Sequence, residues 1–136
     1  MLHYMLDTDI CIHVIRERPA ALRPRFNAEA DRLCISSVTL GELLYGAAKS
    51  PSPDRNRRTV EDFAARLDVL AFGGEAAAHF GEIRAALERR GEPIGAYVVM
   101  IAGHARSHGL VVVTHNTREF RRVDGLRVED WIAKTE

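Results

Sequence analysis

Short apolar runs alternate with longer amphipathic stretches along this chain, and that alternation leaves few folds open. Leu110-Val111-Val112-Val113 is the clearest run. Gly109 precedes it, and the polar Thr114-His115-Asn116 follows. A short continuous run rich in β-branched residues fits a strand buried on both faces. Residues 3–6, 33–36 and 69–72 read the same way, and a last short strand is expected near residues 126–128. Helical patterns lie between them. One begins with Thr8 as cap, one covers residues 20–30, and one starts with Ser37 as cap and carries Leu40, Leu43, Leu44 and Ala47 on a stripe. Others open at Pro53 or Asp54, cover residues 75–90 up to Gly91, and cover residues 97–108 up to Gly109. Strands separated by helices build βαβ units. The expected class is therefore α/β, a three-layer α/β/α arrangement with a mostly parallel central sheet, in one domain over residues 1–136.

Charge and composition remove some functions. Nineteen Lys and Arg balance nineteen Asp and Glu, which argues against a binder held to nucleic acid by bulk positive charge. No apolar run approaches the roughly 20 residues of a membrane helix, so no membrane contact and a cytoplasmic location are expected. Cys11 and Cys34 both sit in apolar runs and read as buried free thiols. His104 and His108 are four apart, a spacing that can suit zinc, but no third ligand is evident.

In parallel α/β sheets, sites form beyond the carboxyl ends of the strands. The first strand ends in Asp7-Thr8-Asp9 and the strongest in Thr114-His115-Asn116, with Glu119 close behind. The helix after the second strand carries Glu42 between Leu40 and Leu43. Converging carboxylates repel one another, and a hard divalent cation such as Mg²⁺ or Mn²⁺ resolves that repulsion. Such a cation activates water and stabilises charge on a phosphate. Each acid also has a plainer reading: Asp9 as a helix N-terminal charge, Asn116 as a turn residue, Glu42 and Glu119 as solvated helix residues. Arg118, Arg121 and Arg122 lie beside the last site loop, where they could hold an RNA backbone. Arg55, Arg57 and Arg58 read as a solvated face.

Four segments together resemble VapC-type toxins of the PIN-domain ribonuclease family. They are Met5-Leu6-Asp7-Thr8-Asp9-Ile10; Ile35 through Leu43 with Tyr45-Gly46; Pro93-Ile94-Gly95-Ala96-Tyr97 with Met100 through Ala105; and Val112 through Phe120. Each motif is weak alone, and the four in order span nearly the whole chain. The resemblance implies metal-dependent cleavage of RNA by clustered acids. By position, Asp7 matches the first acid, Glu42 the second, and Asn116 and Glu119 the last region. Asp7, Glu42 and Glu119 would hold Mg²⁺ or Mn²⁺, with Thr8, Asp9 and Thr114 supporting. The resemblance also implies a VapB-type antitoxin partner, an RNA substrate, often transfer RNA and in some members initiator tRNA, and a homodimer or larger toxin–antitoxin assembly.

One position departs from the pattern. The family places an acid directly after Tyr97, and here Val98 stands there. A valine cannot ligate a hard cation. The expectation is a ribonuclease scaffold whose activity is lost or impaired at position 98, with its cation weakly bound or absent. Two other readings follow from the same residues. One is a non-catalytic module that binds antitoxin or RNA. The other is a haloacid dehalogenase-like phosphohydrolase using Asp7 and Asp9 as nucleophile and acid.

Overall fold

The structure is a computed structural model that describes residues 1–132, so the expected domain over 1–136 ends outside the described range. Five strands form one sheet: β1 (Tyr4–Leu6), β2 (Leu33–Ser36), β3 (Asp68–Leu70), β4 (Val111–Val113) and β5 (Val128–Glu129). Their order is β3-β2-β1-β4-β5 and every pairing is parallel, which sharpens the expectation of a mostly parallel sheet. The helices are α1 (Thr8–Arg16), α2 (Leu22–Ala28), α3 (Ser37–Ala48), α4 (Pro53–Ala64), α5 (Gly74–Arg89), α6 (Ala96–Ser107) and α7 (Thr117–Phe120).

The two-residue period of a strand sends neighbouring side chains to opposite faces. Tyr4, Leu6, Leu33, Ile35, Val111 and Val113 pack on one face with Ile10, Val14, Phe26, Leu43 and Phe63 from α1 to α4. Met5, Cys34 and Val112 pack on the other with Ile83, Leu87, Ile101, Ala102 and Phe120 from α5 to α7. Those two apolar layers make the three-layer architecture. Each fully buried Leu or Ile side chain contributes about 2 kcal/mol through the water it sheds. Cys11 and Cys34 are buried free thiols, as expected. Gly103 lets α6 lie against α5, since a Cβ there would come within 2.7 Å of the Phe80 nitrogen.

Several boundaries move. The residue capping α1 is Asp7 and not Thr8, because its carboxylate accepts the Thr8 N–H. Ser36, not Ser37, caps α3, its hydroxyl accepting the Val38 N–H. In both places the last strand residue or its successor is still extended, and the side chain one residue earlier reaches the free amides. The expected helix over 20–30 divides into α2 and a 3₁₀ turn, Ala30–Arg32. Gly91 and Gly109 take positive φ of 70° and 66° at the ends of α5 and α6, the stops that glycine allows. Among the described residues, no helix is long and apolar enough to cross a membrane.

Candidate active site

The carboxyl ends of β1, β2 and β4 bring the predicted acids to one edge. Asp7 follows β1 directly and is 7% exposed. One of its oxygens accepts the Thr8 N–H at 2.8 Å, and the other accepts the Thr114 hydroxyl at 2.8 Å. Thr114 follows β4 and is fully buried, and its Oγ1 also accepts the Asn116 N–H at 2.9 Å. Glu42 lies in the second turn of α3. Its Oε1 accepts the Thr8 hydroxyl at 2.7 Å, with Thr39 Oγ1 at 3.2 Å from the same hydroxyl. Thr8 thus links the first acid, through its main chain, to the second, through its side chain.

Asp9 has a different task. Its Oδ1 accepts the Ile10 N–H at 2.7 Å and its Oδ2 the His115 N–H at 3.1 Å. It pins the loop after β4 to the start of α1. Burial pushes the Asp7 carboxyl up to about 7, and the charge of Asp9 adds to the rise. The bonds from Thr114 and Thr8 oppose that rise without cancelling it. A carboxylate held this far above its ordinary range is short of positive charge.

A second group of predicted residues sits together around Gly95. Glu119 on α7 accepts the Gly95 N–H at 3.0 Å, capping a helix, α6, that has no cap from its own chain position. A Cβ on Gly95 would lie 3.5 Å from Val98 Cγ2 and 3.6 Å from Glu119 Oε1, so position 98 faces Glu119. Asn116 enters the site through its main-chain N–H. Among the described residues, no group of three or more His, Cys, Asp or Glu is placed to hold a metal ion. The chemistry of the donors suits a hard cation, with Asp7 and Glu42 both bound to Thr8, but Val98 offers no donor. As it stands the site does not fit a tightly bound cation.

Arg118 on α7 and Arg121 just past its end are exposed. Arg122 instead donates to the Pro93 carbonyl at 3.1 Å. His104 and His108, whose spacing showed no third ligand in the sequence, are not part of a metal-ligand group among the described residues: His104 is fully buried, with Nδ1 2.8 Å from Ser36 Oγ. A groove of about 1170 Å³ begins at Thr8 and Glu42 and runs between α1, α3 and α4, lined by Ile12, Leu43, Tyr45, Tyr97 and Met100 among others. Sequence reasoning missed this groove, and it missed a hydrogen-bonded pair at the far side of the edge, where His115 Nδ1 lies 3.0 Å from Asp130 Oδ2. Ile12, Tyr45 and Tyr97 line the groove and are exposed, and nothing in their spacing signals a shared surface. Nothing in the spacing signals the pair.

Comparison with known proteins gives a consistent picture. The PIN domain model matches residues 4–126. A tRNA(fMet)-specific endonuclease VapC of Shigella flexneri is 58% identical over 131 residues, covering 96% of this chain and 99% of the relative. Ribonuclease VapC2 of Haemophilus influenzae is 51% identical over 132 residues, covering 97% and 100%. Among solved structures, the DNA-bound VapBC of Salmonella typhimurium superposes with a TM-score of 0.93 at 56% identity, covering 96% of this chain and 99% of that one.

Proposed function

The chain belongs to the PIN-domain family, in its VapC branch, and on that footing we propose that its scaffold is that of an endoribonuclease toxin acting on tRNA, with initiator tRNA the favoured target. The observation that carries this reading is the convergence of Asp7 and Glu42 on Thr8, with Thr114 closing the other side of Asp7. A crowded pair of carboxylates beside an open groove suits phosphate chemistry assisted by a divalent cation. With an acid restored at position 98, Mg²⁺ or Mn²⁺ would be held by Asp7, Glu42 and that acid, supported by Thr8 and Thr114, and would supply positive charge for phosphate chemistry. Glu119 is better placed to cap α6 and orient position 98 than to ligate first-hand. Val98 removes the acid that would complete the set, so this chain is catalytically impaired.

Its partner is a VapB-type antitoxin. The groove supports that role: it is largely apolar, it exposes Ile12 and Tyr45, and it leads to Glu42, so a segment laid in it reaches the acids. The location is cytoplasmic, where tRNA is found. The non-catalytic reading is favoured for this chain by Val98 alone. No observation favours the phosphohydrolase, whose nucleophile Asp7 has both oxygens occupied by hydrogen bonds.

Expression in a bacterial host tests the reading. Val98→Asp arrests growth, co-expression of the neighbouring antitoxin restores it, and the unsubstituted chain is tolerated. Harmless expression of Val98→Asp at equal protein level contradicts the toxin reading.

A further inference from the structure

A polynucleotide with one phosphate at Asp7 and Glu42 must leave the acid pair by one of two sides. The side toward α3 and α4 is the groove, whose apolar lining suits a peptide. The other side follows the sheet edge from β4 to β5 and is polar. There a line of hydrogen bonds runs from Asp7 to Thr114, on to the loop that Asp9 holds, and ends at His115 and Asp130.

His115 is fixed at two points although its side chain is 55% exposed. Its main-chain N–H is bound by Asp9 Oδ2. Its ring Nδ1 lies 3.0 Å from Asp130 Oδ2, and Asp130, at 12% side-chain exposure, has its other oxygen held by the Ile132 N–H at 2.9 Å. A carboxylate accepts, so Nδ1 is the donor in this bond, and the tautomer it selects leaves Nε2 as the acceptor, turned away from Asp130. His13, at the last turn of α1, packs edge-on at 6.5 Å between centroids. Its own Nδ1 donates to the Arg18 carbonyl at 2.8 Å, which fixes the same tautomer. Among the described residues, Nε2 of neither ring has a protein partner. Exposed Arg118 on α7 and exposed Arg121 just past its end follow in the chain. An outward-facing acceptor held rigidly beside a phosphate site, with guanidinium groups nearby, matches the ribose of RNA. The 2′-hydroxyl is the donor that RNA has and DNA lacks.

We propose that His115, oriented by Asp130, contacts bound RNA by accepting a hydrogen bond from a ribose 2′-hydroxyl through Nε2. This rests on the reading of the chain as an RNA-binding nuclease scaffold. Val98 makes the test simpler, since binding can be read without cleavage. The probes are a short stem-loop RNA and the same stem-loop with 2′-O-methyl riboses. Fluorescence anisotropy in Mg²⁺ buffer gives the affinity of each for the unsubstituted chain, His115→Ala and His115→Gln, and a gel confirms intact RNA. The unsubstituted chain prefers the RNA roughly three- to tenfold, the worth of one hydrogen bond. His115→Ala loses the preference, and His115→Gln, with its amide oxygen, recovers part of it. A general lesion would weaken both probes alike and leave their ratio unchanged. An undiminished ratio in His115→Ala overturns this inference alone. Failure of every chain to bind either probe overturns it together with the RNA reading.

Discussion

Replacing Asp7 by Asn should stabilise the chain at alkaline pH, against the usual expectation for a buried hydrogen-bonded residue. In the fold the Asp7 carboxyl titrates at about 7, against an ordinary 3.8, mainly because it is buried and then because Asp9 is charged beside it. A carboxyl raised in the folded state favours folding fully below pH 3.8 and loses that contribution as pH rises through about 7. The gap is a little over three pH units, which at about 1.4 kcal/mol each sets a ceiling of about 4 kcal/mol by pH 8. Asp7 is almost wholly buried, so solvent screening takes little from that figure. The asparagine carries no charge and escapes this loss. It keeps an acceptor for the Thr8 N–H and must turn its amide N–H toward Thr114 Oγ1, which costs about 1 kcal/mol in poorer hydrogen bonding. The net expectation is a gain of about 2–3 kcal/mol at pH 8, shrinking to zero or a small loss near pH 4. Urea unfolding of both proteins at pH 4, 5, 6, 7 and 8 in EDTA reads this directly. Stability profiles that run parallel across the series would refute the reasoning, because they would mean Asp7 ionises in the fold as easily as in the unfolded chain.

Three further substitutions probe the scaffold. Gly103→Ala places a methyl 2.7 Å from the Phe80 nitrogen and 2.9 Å from its Cα, so α5 and α6 must part; a loss of about 1–3 kcal/mol in urea unfolding is expected. Burial, then the neighbouring His108, holds His104 below the ordinary 6.5. Its contribution is therefore present above pH 6.5 and lost as pH falls. Relative to the unsubstituted chain, His104→Asn should lose less stability between pH 6.5 and pH 5. Thr8→Val removes the hydroxyl bound to Glu42 Oε1. It should cost about 1–3 kcal/mol and, in the Val98→Asp background, lower RNA cleavage.

The sequence carried the architecture because apolar runs and glycine stops are local signals. Residues 33–36 were read with the bounds that β2 has, and Gly91 and Gly109 end α5 and α6 as read. The last strand lies at Val128–Glu129, later than the expected 126–128, since two residues carry no periodicity of their own. The single turn of α7 is too short for a helical pattern to appear and was missed. The acids were legible for a different reason: the rule about strand ends names the edge before the sheet order is known. Asp7, Glu42, Thr8 and Thr114 meet there as expected. The roles of Asp9 and Glu119 were not legible. Each is a carboxylate at a strand or helix end, and only the folded geometry has one holding the His115 N–H and the other capping α6 at Gly95. The His115–Asp130 pair depends on β5 lying beside β4, a pairing that no stretch of sequence states.

We trace the impairment of this PIN-domain nuclease site to position 98 alone. A cleavage time course on total tRNA puts that to the test, with the unsubstituted chain beside Val98→Asp, in Mg²⁺, in Mn²⁺ and in EDTA. Discrete tRNA fragments are expected from Val98→Asp with either metal, none in EDTA, and none from the unsubstituted chain. Equal cleavage by the two proteins would overturn this assignment, since the site would then need no acid at position 98.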